Sequence, residues 1–155
     1  MAFKFNLDPV LKHRKRLEDA AQKEFADAQN AVAEILRRLE NMYQRLDEVR
    51  DEISATQQQA SAHQVENVRE MESFLIGHKR RIDAVRLEAR ELMRIAEDKQ
   101  EALIVAARER KVLDKLKEKR MTEHKEWLNR VEQKAADDQT MARQAWQQIR
   151  GKHAK

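Results

Sequence analysis

The sequence contains no cysteine, only one proline and only two glycines among its 155 residues. Without cysteine, the chain has no disulfide, no thiol chemistry and no zinc site built on sulfur. Two glycines cannot bring several backbone amides onto a phosphate, which excludes a glycine-rich nucleotide-binding loop. Because helix breakers are so rare and Ala, Glu, Lys, Arg, Gln and Leu dominate, we expect long helices.

Aromatic residues are also scarce, at 5%, whereas charged residues make up 39%. A large globular core is therefore not expected. The longest stretch without a charge, residues 53–65, is rich in Gln, Ser, Ala and Thr, and the amino terminus lacks the apolar core of a secretion signal. The sequence thus predicts no membrane span and no targeting signal, and the absence of cysteine fits a cytoplasmic setting.

The apolar residues recur at helical spacing, which distinguishes the chain from a disordered one. In the first half they alternate steps of three and four, the pattern of a coiled-coil seam. This first stripe consists of Val32, Ile35, Leu39, Met42, Leu46, Val49 and Ile53. It extends back through Phe25 to Leu17, where the spacing predicts a small stutter in the supercoil.

A second stripe follows, with Leu75, Ile82, Val85, Leu92 and Leu103 as its main members. It is interrupted at His78, Lys99 and Arg110. Basic side chains at such positions are expected to lay their methylenes along the seam and lift their charge outwards.

The two stripes lose phase between residues 54 and 64, which predicts a turn at about 56–64. We therefore predict an all-α fold, a single coiled-coil domain in which two long helices form an antiparallel hairpin and the second is longer. The first helix is expected at about 8–55, where Asp8 and Pro9 suit a helix start, and the second at about 65–150. Gly77, close to the chain midpoint, is the alternative turn.

The second helix is predicted to have no partner within the chain beyond about Lys115. It nevertheless carries a set of large apolar residues there, namely Leu116, Trp127, Leu128, Val131, Met141, Trp146 and Ile149. This segment is either a fraying amphipathic tail or a segment that docks into another protein, and the sequence leaves both open.

The sequence offers no catalytic or metal-binding constellation. Among the five histidines only His63, with Glu66, has the spacing of helical metal ligands, and one pair does not make a site. A two-helix coil also lacks the enclosed pocket that would adapt a carboxyl group to acid or base chemistry. We predict a protein that is not an enzyme, with no metal, no cofactor and no small-molecule substrate.

Positive charge is concentrated in two blocks. Residues 1–16 hold five cations against one carboxylate, and residues 108–120 hold seven against three. A reversal near residue 62 would set Arg14 beside Arg110 and bring the blocks together, at a cost in repulsion. An acidic partner or a phosphate backbone would explain this arrangement, and a solvated basic face is the alternative.

Several segments resemble the FliJ family of the bacterial flagellar export apparatus. The likeness covers most of the chain and is carried by the opening Phe3-Lys4-Phe5-Asn6-Leu7, Val10-Leu11 with Arg14, Leu17-Glu18, Ala20-Ala21, Phe74-Leu75 with Ile82, the basic run 108–120 and Glu132-Gln133-Lys134. Members of that family are antiparallel coiled coils similar to the central stalk of rotary ATPases and to YscO proteins.

The resemblance implies a component of flagellar type III export that is cytoplasmic or peripheral at the inner membrane. It implies contacts with the hexameric export ATPase, with the cytoplasmic domain of the export gate and with export chaperones. Carried onto this sequence, the residues entering the ATPase ring would be Leu7, Val10, Leu11, Arg14, Arg110, Lys111 and Lys115. Phe74 and Tyr43 would face the gate.

Two other functions are consistent with the residues. A basic helical protein that binds nucleic acid would use the same two blocks, but these lack the interleaved aromatics that stack on bases. A purely structural coiled coil would dimerise through the exposed stripe of the second helix.

Overall fold

A computed structural model describes residues 3–58 and 62–153, apart from the side chains of residues 62, 63 and 151–153. It contains helix α1 at Asp8–Gln57, with 50 residues, and helix α2 at Ala62–His153, with 92 residues. Many contacts join the two helices, and no strand occurs among the described residues. The predicted all-α pair of helices with a longer second member is confirmed.

The helix boundaries place the reversal of the chain between Gln57 and Ala62. Gln58 lies in a turn, and residues 59–61, at the centre of the predicted turn, lie outside the described residues. Gly77 lies within α2 and does not have a positive φ, so the alternative turn is not found there.

The chain divides into two compact units. Unit 1 comprises Met1–Lys15 and Arg108–Lys155, and unit 2 comprises Arg16–Ala107. In unit 2 the two helices run antiparallel, because the partner number on α2 falls as the number on α1 rises. Glu24 pairs with Lys99, and Arg38 pairs with Glu88.

The core of unit 2 is the apolar seam between the helices. Its central cluster joins Ile35, Leu39 and Leu46 of α1 to Ile82, Val85 and Ala89 of α2. Of the twelve predicted seam residues, Val49 and Ile53 are also buried, and Val32, Met42, Leu75, Leu92 and Leu103 are half-buried. Since fully burying one such side chain contributes about 1.5–3 kcal/mol, this stripe is the main stabilising feature of the unit.

The interruptions of the second stripe behave differently from one another. Lys99 is half-buried, and its ammonium extends outwards to Glu24, with 2.6 Å between Nζ and Oε2. His78 was expected to lift its charge from the seam, but it is buried, with 7% of its surface exposed. Its imidazole is short enough to fit between the helices, where Nε2 lies 2.7 Å from the Met42 carbonyl oxygen and donates a hydrogen bond to it.

Ile82→Ala is expected to lower the free energy of unfolding by about 2–4 kcal/mol, because the buried side chain leaves a cavity in the seam. Ile76→Ala is the matched control: Ile76 lies on the same helix but is 58% exposed, against 4% for Ile82. The control should change the free energy by less than about 0.5 kcal/mol. Urea unfolding followed by circular dichroism measures both, and equal effects would contradict this assignment of the core.

Candidate functional site

Unit 1 is built around a non-helical segment, residues 3–7, that precedes α1, ends in a turn and packs against α2. Phe5 is buried, and the Lys117 ammonium lies 5.9 Å from the centre of its ring. Phe3 contacts His124, with 5.7 Å between ring centres, and His124 in turn stacks on Trp127 at 5.8 Å. The two phenylalanines therefore anchor the beginning of the chain on α2.

This anchoring corrects the prediction that α2 has no partner beyond about Lys115. Lys117 and His124 both contact the amino-terminal segment. The segment is not helical, so the periodicity of the sequence gave no sign that it covers α2. The Phe-x-Phe pattern at Phe3 and Phe5 was the available signal, because two large aromatic side chains so close together favour burial.

The helix start also differs in detail from the prediction. The amide of Leu11 donates to the Leu7 carbonyl at 2.9 Å, which makes Leu7 the capping position and places Asp8 in the first turn. The Asp8 carboxylate bonds instead to Lys117, with 2.7 Å between Oδ1 and Nζ, and to Lys12 at 3.2 Å. The hydrogen bonds from Lys117 and then Lys12 lower the pKa of Asp8.

The two basic blocks contact each other through carboxylates. Arg14 forms an ion pair with Glu109 across the helices, and Arg110 forms one with Asp114 along α2. The few acidic residues within the blocks therefore separate the cations and reduce the repulsion that the charge count predicted. Lys111 and Lys115 are exposed and leave a net positive surface on this part of α2.

The predicted ATPase-contacting residues all lie in unit 1, but they differ in exposure. Leu11 is only 3% exposed and packs inside the unit, so its side chain is not available to a partner. Leu7, Arg14 and Arg110 are half-buried, and Val10, Lys111 and Lys115 are exposed.

A shallow groove lies beside these residues and adds three that were not among the predicted ATPase-contacting residues, Glu109, Val112 and Leu113. Its lining consists of Val10, Arg14, Glu109, Val112 and Leu113. Val112 is exposed and broadens the apolar part of the surface. We call the groove, together with Lys111 and Lys115, the basic-apolar surface.

In unit 2, Phe74 lies at the centre of a group of cationic and aromatic side chains. It stacks on the buried His78, with ring centres 5.3 Å apart and 17° between the ring planes. The guanidinium carbons of Arg81 and Arg45 lie 5.5 and 6.0 Å from the centre of its ring. Phe74 is 39% exposed, so its ring is held in place by these neighbours and still accessible to a partner.

Tyr43 is also exposed, but it projects from another side of α1. At 3.6 residues per turn, Tyr43 and Arg45 are separated by about 200° around the helix. Because Arg45 lies over Phe74, the two predicted gate-contacting residues do not belong to one continuous face. Tyr43 instead follows Leu36 by two turns, on the side where Leu36, Phe25 and Met93 line a groove that the sequence analysis did not predict.

Among the described side chains, at residues 3–58 and 64–150, no group of three His, Asp or Glu is placed to hold a metal ion. The side chain of His63 lies outside these ranges. Within the same ranges, neither helix has a stretch apolar enough to span a membrane. The described surface carries exposed grooves, aromatic stacks and ion pairs, which suit protein contacts.

Asp8→Asn is expected to loosen the first turns of α1 at pH 7, because it removes the carboxylate that Lys117 and Lys12 bind. The pKa of Asp8 is lowered in the folded chain, so its contribution to stability is present above the unfolded value of about 3.9 and is lost as pH falls below it. Hydrogen exchange of the α1 amides should separate the variant from the wild type at pH 7. The difference should vanish once Asp8 is protonated, and Asp19→Asn, an exposed carboxylate farther along α1, should leave these amides unchanged.

Comparison with known proteins gives one match by family. The profile described as "Flagellar FliJ protein" matches residues 3–151. Neither the curated proteins nor the solved structures gave a match. Since the match covers nearly the whole chain, it confirms the resemblance of the opening segment and the basic run, and the chain belongs to the FliJ family of flagellar export proteins.

Proposed function

We propose that this chain binds the hexameric export ATPase through unit 1 and raises its rate of ATP hydrolysis. The observation that carries the proposal is the basic-apolar surface. There, exposed Val10 and Val112 lie beside Arg14, and Lys111 and Lys115 are exposed on the same stretch of α2. Apolar contact area bordered by cations suits an acidic protein surface.

The anchoring of the amino-terminal segment supports the same proposal. Phe5 and Leu11 are buried, and Lys117 holds Asp8, so the first turns of α1 are fixed against α2 before any partner binds. A surface that is already ordered loses less conformational entropy on binding than a flexible one. The buried Leu11 thus supports the contact from within, and the exposed residues make it.

The double variant Lys111→Glu with Lys115→Glu is expected to reduce stimulation of the cognate export ATPase about tenfold or more, because reversing rim charges impairs association. The measurement is the steady-state rate of phosphate release with increasing amounts of the chain. Lys23→Glu with Lys79→Glu, two exposed lysines of unit 2, is the matched control and should stimulate like the wild type. No stimulation by the wild-type chain would remove the proposal.

The chain would also contact the export gate, and we place that contact at Phe74. Its ring is exposed on one face and held between Arg45, Arg81 and His78, and ordered aromatics flanked by arginines are common centres of protein interfaces. Tyr43 projects from a different side of α1, so it would belong to a separate contact. We further propose that the chain escorts export chaperones. It would act in the cytoplasm or at the inner membrane, and it would catalyse no reaction itself.

Phe74→Ala is expected to weaken binding of the cytoplasmic domain of the export gate by about 2 kcal/mol, the size of a typical central interface residue. Isothermal titration calorimetry measures this effect. Tyr43→Ala removes an aromatic of similar exposure, 41% against 39%, and should leave the affinity unchanged. Loss of binding in the Tyr43 variant alone would place the gate on the Leu36 side instead.

A further inference from the structure

The last turns of α2 carry an apolar stripe. With about 100° per residue, six residues fall within an arc of about 60°. We call them the C-terminal stripe: Leu128, Val131, Ala135, Ala142, Trp146 and Ile149. Leu128 is half-buried and the other five are exposed, Trp146 by 71%. Trp127 and Met141 are exposed outside this arc, but a continuous row of apolar residues that faces solvent is an unpartnered binding face.

The stripe continues a face of α2 that is already in use. Lys117 lies three turns and His124 one turn before Leu128, so both point to the same side of the helix as the stripe. These two residues contact Asp8 and Phe3. Phe3 is the first residue that the structure describes, and residues 129–150 are all exposed. Among the described residues, the face that Phe3 and Asp8 contact as far as His124 thus continues without a segment packed on it.

The residues of the stripe indicate the kind of occupant. Ala135 and Ala142 separate the larger residues at its ends, and small residues let another helix approach closely. Asp138 borders this arc, about 20° beyond its edge, and continues the steps of three and four between Ala135 and Ala142. Along the chain it lies midway between Leu128 and Ile149. A partner helix that packs on the stripe approaches Asp138, so a cation opposite Asp138 is favoured, because a carboxylate that loses water without a partner is costly.

Asp138 also argues against a second copy of the chain. Two stripes paired in parallel and in register would set Asp138 against Asp138. An antiparallel pair centred on the stripe would do the same, since Asp138 lies at its middle. Like charges facing each other in a seam are destabilising, and proteins use such contacts against unwanted pairing.

We propose that the C-terminal stripe binds an amphipathic helix of a different protein, one with an apolar seam and a lysine or arginine opposite Asp138. Asp138 then has two effects: it selects a basic partner and it prevents self-association. The stripe shares no residue with the sets proposed to contact the ATPase and the gate, so the inference stands or falls without them.

The first test is the association state of the full-length chain at tens of micromolar, measured by light scattering. The wild type should be monomeric, and Asp138→Leu, which completes the apolar stripe, should form dimers. Asp137→Leu is the matched control, because Asp137 projects from nearly the opposite side of the helix, and it should stay monomeric. A wild-type dimer, or an Asp138→Leu variant that remains a monomer, would overturn the proposal.

The second test uses two synthetic helices as long as residues 127–149, each with a Leu and Ala seam. One carries lysine and the other glutamate at the position facing Asp138. By fluorescence anisotropy the lysine peptide should bind the wild-type chain at least about tenfold more tightly, which corresponds to 1.4 kcal/mol. The preference should reverse in Asp138→Lys and persist in Asp137→Lys. Equal binding of both peptides, or the same reversal in both variants, would contradict the assigned role of Asp138.

Discussion

The packing of one apolar stripe of α1 against one apolar stripe of α2 is the interaction on which the structure depends. In unit 2 it buries Ile35, Leu39 and Leu46 against Ile82, Val85 and Ala89. A pair of helices has no third layer, so each helix buries only this one side and exposes the rest. The seam therefore fixes which residues remain available: Phe74 and Tyr43 are accessible because each lies beside the seam, on different sides of it.

Ion pairs link many of the charged residues that the seam leaves exposed. The basic blocks contain enough carboxylates for Arg14 to reach Glu109 and for Lys117 to reach Asp8. In unit 2 the ion pair between Lys99 and Glu24 lowers the pKa of Glu24 and carries a basic residue out of the seam. Such exposed pairs contribute little energy individually, but they oppose wrong registers of two similar helices. Stability and specificity thus come from different residues.

The seam could be predicted from the sequence because periodicity is a property of neighbouring residues on one helix. Steps of three and four predict the stripes Val32 to Ile53 and Ile82 to Leu92, whatever these residues pack against. Contacts between segments that are distant in the chain, or that involve a non-helical segment, produce no periodic pattern in the sequence. Three features depend on how distant parts of the chain pack together. They are the contact of Phe3 with His124, the burial of Leu11 and the hydrogen bond of His78 to the Met42 carbonyl. The two basic blocks can be located in the sequence, whereas the exposure of each of their side chains depends on the pairing of the helices.

The same reasoning explains why the C-terminal stripe is informative. Inside unit 2, the apolar stripe of each helix has a partner, and polar interruptions such as Lys99 are carried outwards to a carboxylate of the opposite helix. The stripe from Leu128 to Ile149 keeps the apolar spacing without such a partner among the described residues, and Asp138 is its one acidic interruption. By analogy with Lys99 and Glu24, an ionic interruption in a seam is tolerated when the facing helix supplies the opposite charge. On the proposal above, Asp138 faces a basic residue of the partner helix in the same way that Lys99 faces Glu24.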